Sequence, residues 1–141
     1  MAIKQLSIFV ENRQGSLHEI TDTLAASGIN LRSMVVADTS NYGIVRIIAD
    51  APDRAKALLD SEGHAANVRL VNAFAVPDVP GGLASVLRIL EGNGVNIDYM
   101  YALITSENGK AYSVMRTGNT EQTDNILLEN GIELLDESKL H

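Results

Sequence analysis

The chain has 141 residues, 45% hydrophobic and 21% charged, with a formal net charge of −7 and no cysteine. That composition belongs to a folded globular chain, sized for one ordinary domain or two very small ones and able to hold a core without staples. It excludes disulfides, zinc–thiolate sites and thiol nucleophiles, and its scattered basic residues offer no face for a phosphate backbone.

The N-terminus, MAIKQLSIFVENRQG, lacks a signal-peptide pattern and alternates like a strand, with Leu6, Ile8 and Val10 on one face. No run reaches the ~18 apolar residues of a membrane span, so the expected location is cytoplasmic. Leu17, Ile20 and Leu24 form a helical stripe that Gly28 ends as a left-handed cap. Residues 31–37 and 44–49 read as strands joined by the turn TSNYG. Asp50-Ala-Pro-Asp opens a second helix, with proline in its first turn and acid at its positive end, and Gly63 caps it.

Only six residues, His64 to Arg69, separate that cap from the next strand, Leu70 to Val76. No flexible linker fits there. The last strand of the first half must be very short or run straight into the first strand of the second. Leu83, Val86, Leu87 and Leu90 then give an i, i+3, i+4, i+7 stripe. TSENGKA reads as a hairpin turn. Asn119 with Gln122 reads as a capping box. The last helix ends at Gly131, and IELLD is the expected final strand.

The order strand–helix–strand–strand–helix–strand thus occurs twice, and the halves align at an offset of 66 residues, Gly15 falling on Gly81. Leu17 falls on Leu83, Leu24 on Leu90, Gly28 on Gly94, Asn30 on Asn96, Leu31 on Ile97 and Met34 on Met100. Both faces of the strand at 44–48 carry apolar residues, Val45 and Ile47 on one and Ile44 and Ile48 on the other. Helices cover one face of such a sheet, so the other is expected to meet a second copy of the chain.

The loop VPDVPGGL, Val76 to Leu83, leads from a strand into a helix. Pro77 and Pro80 fix backbone φ, while Gly81 and Gly82 let another group approach the main chain. A helix N-terminus presents N–H groups without intrahelical partners and a positive dipole end, which suits a carboxylate. Asp78 does not suit that anion and is read as a helix cap or a partner for an ammonium group. An ordinary turn uses the same residues; the second copy at Asn12 to Leu17 favours a ligand anchor.

These residues resemble the ACT domain, a regulatory βαββαβ module that commonly binds free amino acids. The resemblance rests on Pro80-Gly81-Gly82-Leu83 followed by Gly94-Val95-Asn96-Ile97, and on Gln14-Gly15-Ser16-Leu17 followed by Gly28-Ile29-Asn30-Leu31. It covers nearly the whole chain, twice. It implies an α+β fold of duplicated ferredoxin-like modules, 1–69 and 70–141, with helices on one face of an antiparallel sheet; the short joint between them makes rigid coupling the expectation. It also implies a ligand held between modules by the strand 1–helix 1 loops and the starts of the second strands. Carried over, this implicates Asn12, Arg13, Gln14, Gly15, Ser16 and Leu17 in the first half. In the second it implicates Asp78, Val79, Pro80, Gly81, Gly82 and Leu83, and at the strand starts Asn30, Leu31, Asn96 and Ile97. Gln14 departs from the family's proline, which puts the first loop in doubt as a site.

Among side chains, Asn12 reads equally as a ligand contact or a turn residue. Arg13 reads as a solvated cation before a partner for a ligand carboxylate. Tyr99 and Tyr101 share a strand face and are read as cross-strand packing before a pocket wall. His18, His64 and His141 stand apart, and HEITD is not HExxH, so no metal or cofactor is expected. PGGLAS lacks the residues of a P-loop or dinucleotide fingerprint, and no nucleophile–base pair is evident. The expected function is a regulatory amino-acid sensor, a homodimer and possible partner of a regulated enzyme, not itself an enzyme. The rivals are a structural adaptor without ligand, a small enzyme on this fold, and an RNA-binding sheet, for which IVRII and AYSVM offer too few aromatic and basic residues.

Overall fold

Alternation along β1 (Ile3–Glu11) sends Leu6, Ile8 and Val10 to one face, where they pack with Val45 and Ile47 of β3 (Tyr42–Ala49). Ile20 and Leu24 of α1 (Ser16–Ala26) and Ala55 and Leu59 of α2 (Pro52–Ser61) cover that face. Each large apolar side chain removed from water here contributes about 1.5–3 kcal/mol. The computed structural model describes residues 2–38 and 41–140. By its internal contacts the chain divides into one unit of residues 4–69 with Leu140, and one of residues 1–3, 70–139 and 141.

In the first unit β3 lies between β1 and β2 (Leu31–Asp38), antiparallel to both. Leu6 sits opposite Ile47 and Glu11 opposite Tyr42. The predicted turn TSNYG falls partly outside the described residues; its Tyr42 and Gly43 belong to β3. Gly28 and Gly63 follow the two helices at φ 71° and 85°, the left-handed stops that glycine permits. Asp50 does not cap α2. Its carboxylate accepts from the Asn30 amide at 3.1 Å, and the Asp50 amide returns a bond to the Asn30 carbonyl.

The second unit repeats the plan with β4 (Ala66–Pro77), of which residues 70–77 lie in this unit, α3 (Gly82–Gly92), β5 (Ile97–Glu107), β6 (Lys110–Thr117) and α4 (Thr120–Glu129). β6 lies between β4 and β5, antiparallel to both. Phe74, Val76 and Met115 meet Val86 and Leu90 of α3 and Ile126 and Leu127 of α4. Two tandem ferredoxin-like βαβ modules result, and of the alternatives at the joint the continuous strand is found: β4 runs unbroken for 12 residues.

One expected element is corrected. IELLD is not a regular strand but a single antiparallel bridge, Leu134 opposite Phe74. Two backbone bonds, Ala75 N–H to the Glu133 carbonyl and Leu135 N–H to the Ala73 carbonyl, hold it. The chain leaves this register at Asp136 and enters a 3₁₀ turn, Glu137–Leu140. At α4 the Asn119 side chain accepts from the Gln122 amide at 3.0 Å, as a capping residue should.

Candidate functional site

The loops entering α1 and α3 follow the same path. Both N-caps are glycines in the left-handed region, Gly15 at φ 90° and Gly81 at φ 82°. The Arg13 amide bonds back to the Glu11 carbonyl, and the Val79 amide to the Pro77 carbonyl, each at 2.9 Å. Ser16 N–H reaches the Arg13 carbonyl, and Gly82 N–H the Val79 carbonyl. Each loop is also tied sideways, Asn12 N–H to the Asn41 carbonyl and Asp78 N–H to the Gly109 carbonyl.

The loop amides of Asp78, Val79 and Gly82 are therefore spent within the chain. Among the described residues, those of Gly81, Leu83 and Ala84 find no acceptor, nor do those of Gln14, Gly15, Leu17 and His18. That is the usual deficit of a helix N-terminus, which α1 and α3 leave without a side-chain cap. Asp78 is exposed and does not cap α3, a correction to the sequence reading: the N-cap position is Gly81.

Gly82 is likewise corrected. A Cβ there would lie 2.0 Å from the Pro77 carbonyl oxygen, so its bareness admits the chain's own backbone, not an outside group. Gly81 has open space and needs glycine for its positive φ. At the aligned position of the first loop stands Ser16, whose buried hydroxyl donates to the Glu11 carbonyl at 2.7 Å.

Arg13 is not simply solvated. Its guanidinium donates to both carboxylate oxygens of Glu19, at 3.0 and 2.9 Å, and lies 3.5 Å from Glu11. The hydrogen bond to Glu19 leads the effects that raise its pKa. A carboxylate already stands at the entrance to α1. The second loop has Val79 and Ser85 at the aligned positions, and Val79 is 60% and Leu83 38% exposed. Val79 and Leu83 thus give the entrance to α3 an apolar edge without an ion pair at the aligned positions, and Asp78 is the exposed charge of its loop. Gln14 and Pro80 are exposed beside their glycines, and Asn12 is exposed on its turn.

The strand starts behave otherwise. Leu17 and Leu31 pack on the first core and Ile97 on the second, so these side chains support the fold. The Asn30 backbone is committed to Asp50. The Asn96 amide lies 3.4 Å from Asp98, in a cleft of about 300 Å³ that also touches Gly94, Gly118 and Gln122. The ladder is irregular between Leu31 and Ser33 and, at aligned positions, between Ile97 and Tyr99. Tyr99 and Tyr101 stack with ring centroids 6.5 Å apart.

Sequence reasoning missed a buried polar network in the second unit. Asn72 donates to the Asp124 carboxylate at 2.7 Å and to the Thr120 carbonyl at 2.9 Å, and accepts from Thr117. Thr117 also meets Thr123 at 3.0 Å. Thr123 and Asp124 lie on the same helical face as Ile126 and Leu127, the one available signal. Beside it a cleft of about 480 Å³ touches Leu70, Glu121 and Leu128. Among the described residues no helix is long and apolar enough to cross a membrane.

The family model for the ACT domain pair matches residues 1–141. Among solved structures, protein BT0572 from Bacteroides thetaiotaomicron is 40% identical, covering 99% of this chain and 96% of its own, with a TM-score of 0.93. The regulatory subunit of aspartate kinase from Thermus thermophilus, in a ligand-free form, is 14% identical over 89% of this chain and 91% of its own, with a TM-score of 0.67. Its counterpart from Thermus flavus is 13% identical over 89% and 90%, with a TM-score of 0.61. These two likenesses concern the fold. Among curated proteins no sequence matches.

Proposed function

Given that the chain belongs to the ACT domain pair family, a regulatory fold whose members often bind amino acids, we propose that it senses a free amino acid through its second strand–helix loop. The family points to regulation and not to catalysis. Asp78 to Leu83 hold the ligand. The amides of Leu83 and Ala84 take its carboxylate, Val79 and Leu83 meet a neutral, apolar side chain, and Asp78 is near enough in the loop to serve the ammonium group. The observation that supports this most is the contrast between the loop mouths: Arg13 and Glu19 form an ion pair at the first, whereas Val79 and Ser85 stand at the aligned positions of the second.

The energetics are ordinary. Micromolar affinity needs about 8 kcal/mol, and charge-assisted bonds to a carboxylate supply about 1.5–3 kcal/mol each. The first-loop residues Asn12 to Leu17 then serve structure. The protein works as a homodimer that conveys occupancy to a partner enzyme, its ligand shifting the population between two packings of the assembly. Phe9, 65% exposed on the strand face opposite the helices, supports a second copy there.

A thermal-shift screen against the twenty amino acids tests the reading. Ligand at about 100 times Kd stabilises by about 2.7 kcal/mol, a rise of several degrees for a chain of this size. A small neutral amino acid should give it. If none moves the melt, the ligand-free adaptor becomes the better reading.

A further inference from the structure

The sequence contains three Asn-Gly pairs, at residues 93–94, 108–109 and 130–131. Asn-Gly is the pair most open to spontaneous deamidation, because a glycine amide attacks the neighbouring side chain with no Cβ in its way. The fold treats the three pairs differently. Asn93 and Asn130 close helices α3 and α4. Their side-chain amides donate to the carbonyls of Ile89 and Ile126, each at 2.8 Å. The glycine amides that would attack are also tied, Gly94 to the Glu91 carbonyl and Gly131 to the Leu128 carbonyl, each at 3.0 Å.

Asn108 and Gly109 form the tip of the β5–β6 hairpin, with φ of 53° and 73°, the pairing that a type I′ turn demands. Both are exposed, and among the described residues neither the Asn108 side chain nor the Gly109 amide has a hydrogen-bond partner. Nothing described there must break before nucleophile and carbonyl meet. We infer that Asn108 is a modification site, converted by water to aspartate and isoaspartate while Asn93 and Asn130 stay intact.

In that reaction the Gly109 backbone nitrogen bonds to the Asn108 side-chain carbonyl carbon. The carbon–nitrogen bond to the side-chain amide breaks, and ammonia leaves with the proton from Gly109. The resulting five-membered imide is opened by water at either carbonyl. Opening at the backbone carbonyl gives isoaspartate, which inserts a methylene into the main chain and leaves a carboxylate at the tip. The consequence reaches the strand–helix loop, because the Gly109 carbonyl accepts the Asp78 amide at 2.9 Å. Lengthening the backbone beside Gly109 displaces that acceptor.

The test ages the whole folded protein in mildly alkaline buffer and maps peptides by mass and by labelling with an isoaspartyl methyltransferase. Asn108 should react at least about tenfold faster than Asn93 or Asn130, the factor that about 1.4 kcal/mol of protection gives. In urea the three rates should converge. Equal rates at the three sites in the folded protein, or an inert Asn108 where the urea-unfolded chain reacts, would overturn the assignment. Asn108→Gly retains a residue suited to positive φ and should show no labelling at the tip. Hydrogen exchange at the Asp78 amide should quicken in aged wild type and not in aged Asn108→Gly. Unchanged exchange in labelled wild type would overturn the link to the loop.

Discussion

The loops entering α1 and α3 show how one backbone path can carry different chemistry. Their glycine N-caps, back-bonds and sideways ties correspond one for one. The residues on that frame do not. Ser16 N–H lies 3.3 Å from its loop carbonyl and Gly82 N–H 3.0 Å from the equivalent one, so the second loop is drawn tighter. Losing the side chain at residue 82 makes room for the Pro77 carbonyl, while the first loop uses a hydroxyl to satisfy the matching carbonyl of Glu11. Duplication has kept the geometry and let the mouth of each helix diverge, one carrying an internal ion pair and one with Val79 and Ser85 in its place.

The largest effect is expected at the aligned pair, Ser16 and Gly82. Gly82→Ala drives a Cβ into backbone and should cost about 3 kcal/mol or more in urea unfolding. A loss below about 1 kcal/mol would mean the tight approach is not real. Next come Gly15→Ala and Gly81→Ala, which meet open space but a positive φ. Each should cost about 1–2 kcal/mol, and the two should agree, since the strain is the same. A clear difference would show that the loops are not equivalent frames. Ser16→Ala should cost about 1 kcal/mol by removing the second of two hydrogen bonds to the Glu11 carbonyl, which keeps the Arg13 amide.

The smallest effect concerns acid. Hydrogen bonds from Lys110, first, and Lys139 hold the Glu133 carboxyl below the usual carboxylate range. A carboxyl lowered on folding stabilises the native state above its unfolded pKa, and that contribution is lost as pH falls through the lowered folded value. Melts of wild type and Glu133→Gln should therefore differ at neutral pH and draw together as pH falls through the lowered folded value. Glu133 is partly exposed, so the gap is modest. A gap that widened in acid would contradict the sign.

Much of this was legible in the sequence because it depends on spacing. Apolar residues at period two and at 3.6, with Gly28, Gly63 and Gly131 after the stripes, placed strands and helices where they occur. The offset between Gly15 and Gly81 exposed the duplication. What spacing does not encode is which partner a polar group selects. Arg13 and Glu19 meet across a turn, outside any helical period, so their pairing was missed. Gly82 read as an opening because glycine marks close approach without saying what approaches. IELLD has the alternation of a strand, but only Glu133 to Leu135 pair with β4. Asn72 and Asp124 are 52 residues apart, and nothing local announces their contact.

On the proposed reading the second loop binds the amino acid and the first, with its own Arg13–Glu19 ion pair, does not. Calorimetric titration with the amino acid that most raises the melting temperature tests this directly, comparing wild type with Val79→Arg/Ser85→Glu, which carries the first loop's charges into the second. One site per chain is expected in wild type, with at least about a hundredfold weaker binding in the double variant, a loss of about 2.8 kcal/mol. Two equivalent sites per chain, or undiminished binding by a folded double variant, would contradict it.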